Sequence, residues 1–187
     1  MTIGTIRAAI VAKVSAVPDV GRVHAYERYL ATMNKLRELY ADGPRIRGWL
    51  VTRVSTRELP DTTNTVRNIH RWSVRGYHSL DDDAGTELEF SNLVEQVRAA
   101  FRWDETLGDV CETTAVDGRS GLQLDDFGPV MFAGVLCHGA RLSIDTQEIV
   151  AADPGQLDDF ITGNVRWDLA PTDGVVDAED MFTLEAP

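Results

Sequence analysis

Four histidines, two cysteines, three runs of adjacent aspartates and a series of arginines are the groups with which this 187-residue chain could do chemistry. His24, His70, His78 and His138 stand apart from one another, and none falls in HExxH or in a close His/Cys/Asp cluster with metal-ligand spacing. His70 belongs to the apolar face of an expected strand, where an imidazole serves more readily as a satisfied core or interface group than as a ligand. Cys111 and Cys137 lie 26 residues apart without CxxC spacing, the pattern of packing groups in a reducing compartment. Asp125-Asp126 and Asp158-Asp159 are adjacent, and neighbours on a strand point to opposite faces, so neither pair reads as an acid/base dyad. Asp81, Asp82 and Asp83 lack the alternating ligands and distant Glu of a calcium loop. No G-x-S-x-G elbow or glycine-rich phosphate loop occurs, and the aromatics do not form an RNA-stacking motif. The reading is a protein that is not an enzyme, with no catalytic residue, cofactor or metal. An enzyme built on His70 and the acidic pairs stays as the alternative.

These groups must be positioned by elements that the hydrophobic pattern marks out. Thr2 or Thr5 can cap a first helix to about Ala16, with Ile6, Ile10, Val11 and Val14 at helical spacing. Residues 22–26 read as a short extended segment. Tyr29, Leu30, Met33, Leu36 and Leu39 make a second amphipathic helix, stopped at Asp42-Gly43-Pro44. Two long strands are expected at 45–54 and 65–78, joined by a turn-rich loop from Glu58 to Asn64. Thr86 and Glu89 fit a capping box, and Phe90, Leu93, Val94, Val97 and Phe101 then give the cleanest helical stripe in the chain. Residues 130–137 are apolar on both faces, as in a central strand. His138-Gly139 reads as a turn into a fourth strand at 140–149, where Leu142 and Ile144 share a face. The fold class expected is α+β, a mostly antiparallel central sheet with helices packed on it over residues 1–150. Residues 151–187, punctuated by proline and glycine yet carrying spaced apolar residues, read as an extended acidic C-terminal arm.

Charge is distributed unevenly. The chain's net charge is −12. Residues 1–80 carry a net +7, residues 81–150 a net −11 and residues 151–187 a net −8. The acidic total argues against direct nucleic-acid recognition. No apolar run is long enough for a membrane helix, and the first residues lack the pattern of a signal peptide, which implies synthesis in the cytosol. On the expected strands, Arg45, Arg47 and Arg53 share one face of the first, and Arg67, Arg71 and Arg75 share one face of the second. If the strands pair, these six line up as one basic face. That face is either solvated or an intersubunit surface covered by something acidic, with Asp81, Asp82, Asp83 or the arm as the acidic side.

The runs Gly21-Arg-Val-His-Ala-Tyr-Glu-Arg-Tyr29, Arg45-Ile-Arg-Gly-Trp-Leu-Val-Thr-Arg53 and His70-Arg-Trp-Ser-Val-Arg-Gly-Tyr77, followed by the Asp81–Asp83 helix start, resemble small structural proteins encoded among the tail genes of tailed bacteriophages. The element order over roughly residues 3–150 resembles the lambda-type tail terminator, and the segment after 150 departs from its short members. The resemblance implies a virion protein of the tail or neck, assembled in the host cytoplasm. It implies a hexameric ring of identical copies that caps the tail tube, stops its polymerisation and joins tail to head. The partners implied are the chain itself, the tail tube protein and the head-tail connector or neck proteins. Another neck, connector or tube protein, or a small non-enzymatic binding domain, are the alternatives.

Overall fold

In the computed structural model, residues 2–28, 32–62, 65–81, 83–151, 162–167 and 178–183 are described. The chain divides into two compact units, Met1–Ala151 and Ala152–Pro187. The first is α+β. Its elements are α1 (Ile3–Ser15), β1 (Arg22–His24), α2 (Met33–Tyr40), β2 (Ala41–Asp42), β3 (Arg45–Thr62), β4 (Thr65–Ser79), α3 (Thr86–Ala99), β5 (Gln123–Phe132) and β6 (Val135–Ala151). In the second unit, β7 (Thr162–Trp167) and β8 (Ala178–Thr183) pair antiparallel. The expected arm falls here, and the rest of it lies outside the described residues.

The sheet of the first unit runs β1-β3-β4-β6-β5, with β2 also on β3. Only the β1–β3 pairing is parallel among the described strands; the others are antiparallel. One face is dry. Trp49 and Val51 of β3, Trp72 and Val74 of β4, and Leu142 and Ile144 of β6 meet Ile6, Ile10 and Val14 of α1 and Phe90, Leu93, Val94 and Val97 of α3. Each helix presents a stripe at i, i+3/i+4 spacing, so one side is buried at every turn. The first helix starts where its sequence indicates. The Thr2 hydroxyl accepts from the Thr5 amide at 3.2 Å, and the Thr2 amide donates to the Thr5 hydroxyl at 3.1 Å.

Among the described residues of the first unit, the opposite face is covered at one end. There α2 lays Tyr40, Leu36 and Leu39 on Ile46, Leu50, Tyr77, Cys137 and Phe132. Tyr77 and Phe132 stack at 3.9 Å between centroids.

Several local expectations are corrected. The loop foreseen from Glu58 to Asn64 is mostly strand, and Pro60 pairs with Val66. Beyond Leu50, β3 has no further neighbour on its outer side among the described strands, and such an edge accepts proline. Residues 130–137 are not a central strand. They span an edge hairpin whose turn is Ala133-Gly134, both left-handed at φ 49° and 74°. His138-Gly139 lies inside β6, not at a turn. The capping box at Thr86 and Glu89 does not form. Gly85 caps α3 in a left-handed conformation, Thr86 bonds to Asp81 and His138, and Glu89 turns to the arginines of β3. Tyr29 and Leu30 of the expected second helix lie outside the described residues.

Candidate functional site

The register of β3 on β4 decides where the arginines go. Arg47 lies opposite His78, Trp49 opposite Gly76 and Arg53 opposite Trp72. Residues directly opposite in an antiparallel pair share a face. Arg45, Arg47 and Arg53 therefore lie on the helix-covered face, whereas Arg67, Arg71 and Arg75 alternate onto the other. The single basic face expected from sequence does not exist: the six arginines divide three and three.

Half of them meet a carboxylate inside the fold. Arg47 pairs with Glu89 of α3, and Arg45 reaches the same carboxylate at 3.7 Å. Arg71 makes a two-pronged contact with Asp145 at 2.8 and 2.7 Å. This hydrogen-bonded carboxylate, whose side chain is only 8% exposed, raises the Arg71 guanidinium above its ordinary pKa. Arg75 approaches Glu27 only to 4.0 Å. Arg53 is exposed, next to a bulge that pushes out Val54. Arg67 sits near the start of β4, opposite Leu59 and Ile149. Of the three candidate aspartates, Asp81 accepts from the Ala84 amide at 3.3 Å and Asp83 is exposed in the same loop. Asp82 lies outside the described residues.

Beyond α2, the second face of the sheet is polar and ordered in rows. Thr52, Ser73, Ser143 and Gln123 form a row of hydroxyls and amide across β3, β4, β6 and β5. On one side runs the row Leu50, Arg75, Arg141 and Asp126; on the other runs Ser55, Arg71 and Asp145. Arg75 and Arg141 are like charges placed directly opposite, an arrangement that destabilises a bare sheet. A bulge between Leu124 and Asp126 puts both Asp125 and Asp126 on this face, contrary to the expectation that neighbours diverge. The Ser143 hydroxyl donates to Asp125 at 2.9 Å. Three shallow cavities open here. One of about 340 Å³ lies along Arg75, Asp126 and Arg141. One of about 230 Å³ lies over Ser73 between Arg71, Arg75, Arg119 and Arg141, and one of about 210 Å³ lies between Arg57, Arg71, Asp117 and Asp145.

The sequence reading missed Arg119, Arg141, Ser73, Ser143 and Asp145 as site residues. The alternation of Arg141, Ser143 and Asp145 against Leu142 and Ile144 carried the signal for three of them.

On the helix-covered face, His70 is 1% exposed and satisfied. Its Nε2 lies 3.1 Å from the Glu148 carboxylate and its Nδ1 2.9 Å from the Thr56 hydroxyl. Nε2–H donating to the carboxylate leaves Nδ1 to accept from Thr56. A hydroxyl, an imidazole and a carboxylate in series is the order of a nucleophilic triad. None of the three lines a cavity described above, however, and the series ties β3, β4 and β6 together as a buried polar clamp. Burial pushes the Cys111 thiol up to about 11 and the Cys137 thiol upward as well, which removes the thiolate a nucleophile needs.

No protein-family model matches this chain, and no curated protein matches it. The open face thus has to be read from its own chemistry. It offers guanidinium, carboxylate and hydroxyl groups in fixed rows on rigid strands, a surface suited to complementary charged contacts. No helix among the described residues is long and apolar enough to cross a membrane.

Proposed function

We propose that the chain is a structural subunit of a tailed-phage virion. In this reading it is a tail terminator that closes into a ring, most simply of six copies. The ring caps the tail tube, halts its polymerisation and presents the surface to which head-tail connector proteins join. What supports the reading is the polar face of the sheet, where Arg75, Arg119 and Arg141 make no close ion pair among the described residues although the chain as a whole is strongly acidic. A ring needs a heterologous contact between two different patches, closed by rotation. A chain whose first 80 residues are net positive and whose remainder is net negative carries both sides of such a contact. Arg71 is held by Asp145, and Arg45 and Arg47 lie with Arg53 on the helix-covered face, so the open-face contact falls to Arg75, Arg119 and Arg141. Function then requires shape and charge and no bond-making step.

Arg119→Glu and Arg141→Glu test this, because both side chains are exposed on the open face and outside the core. Each is expected to weaken assembly in negative-stain images without lowering the thermal midpoint. Both variants assembling as the wild type would refute the interface. Long cylinders in place of single rings would show a tube protein instead of a terminator.

A further inference from the structure

The cavity over Ser73 carries a buried hydroxyl that the ring contact, drawn on the same arginines, does not explain. Ser73 is 4% exposed, lies mid-strand on the open face, and its hydroxyl has no hydrogen-bond partner among the described residues. A buried hydroxyl left unpaired costs free energy comparable to a lost hydrogen bond. The Arg75 Nε beside it is likewise buried and unpartnered. Four guanidiniums line the same cavity, from Arg71, Arg75, Arg119 and Arg141, against one carboxylate, Asp125. Asp125 already accepts from Ser143, and Arg71 is taken by Asp145. Glu27, at 4.0 Å from Arg75, and Asp126, across from Arg141 on β5, flank the cavity without lining it. What is left over is a hydroxyl and three cationic forks, with Arg75 and Arg141 held directly opposite one another.

We propose that this cavity is an oxyanion site, taking a phosphate-like or carboxylate group on Arg75, Arg141 and Arg119 with the Ser73 hydroxyl as a further donor. Guanidinium forks and hydroxyl donors are the set that planar and tetrahedral oxyanions accept from. An occupied site relieves three features together: the unpaired hydroxyl, the unpaired Nε and the cross-strand arginine repulsion. The oxyanion has two sources, a free ion or a carboxylate presented by a second copy of the chain. The site does not depend on the ring.

The test uses the full chain and inorganic phosphate against chloride at matched ionic strength, reading thermal midpoint and solution mass together. Phosphate is expected to raise the midpoint above chloride in a saturable way. Ser73→Ala and Arg141→Gln are each expected to weaken the apparent affinity about tenfold, with the midpoint in chloride level with or above that of the wild type, since each removes a feature that costs the empty site. If phosphate also lowers the assembled mass, the natural oxyanion is a carboxylate of a second copy; if the mass holds, it is a free ion. A chain that stays monomeric with and without purified tail tube, yet shows the phosphate effect, leaves the site standing and removes the ring reading. Phosphate no more stabilising than chloride, or both variants responding as the wild type does, overturns the proposal.

Discussion

Gly76→Ala should destabilise the first unit through one side chain. Gly76 sits on β4 between Arg75 and Tyr77, directly opposite Trp49. A Cβ added there would lie 2.7 Å from Cη2 and Cζ3 and 2.8 Å from Cζ2 of the Trp49 indole. Carbon atoms attract at about 3.5–4.0 Å, so contacts this short are repulsive. The indole cannot swing aside easily, since Trp49 is fully buried and packs on Phe90 with centroids 6.0 Å apart. Forcing an extra methyl into a filled core costs about 1–3 kcal/mol. For a unit of this size each kcal/mol lowers the midpoint by roughly 2–4 °C. Trp49→Phe removes the three atoms concerned, and also a buried indole N–H that has no partner. The cost of Gly76→Ala should therefore fall below about 1 kcal/mol in the Trp49→Phe background, a coupling of about 1–2 kcal/mol. Urea melts of the four proteins of this double-mutant cycle measure it. An equal cost of Gly76→Ala in both backgrounds would refute the packing argument, and with it the β3–β4 register that divides the six arginines between the two faces.

Two further outcomes follow from the same geometry. Arg71→Gln strips a bidentate partner from the buried Asp145 and should cost about 1–2 kcal/mol, discounted because Arg71 is half exposed. Adding Asp145→Asn should recover most of it, and an additive double mutant would contradict the pairing. Burial lowers the pKa of both His78 and His24 below their ordinary value of 6.5. Both are neutral in the fold above that pH, so stability is level there. It should fall as pH drops below about 6.5, by at most about 1.4 kcal/mol per pH unit for each histidine, until each protonates in the folded state. A urea midpoint that stays flat from pH 7.5 to 5.5 would contradict this.

The sequence carried the elements better than their faces. The α3 stripe of Phe90, Leu93, Val94 and Val97 is legible because a 3.6-residue period repeated over successive turns has few competing readings. The open face was harder to see. A bulge at Val54 and another at Asp125 each shift the alternation by one residue, and nothing in the side-chain pattern announces them. The six arginines were sorted correctly within each strand, but the pairing register, a long-range property, set the two triplets on opposite sides. The turn at Ala133-Gly134 escaped because alanine in the left-handed region is not a sequence signal for a hairpin. Glu89 looked like a capping residue and instead answers two arginines more than forty positions away.

The central claim, that copies of this chain assemble through complementary charge on an open sheet face, is tested most directly by solution mass. Light scattering after size exclusion, over a concentration series at low and high salt, should give a discrete species of about six chains that dissociates as salt screens the contact. A monomer at every concentration and salt, unchanged when purified tail tube is added, would contradict it.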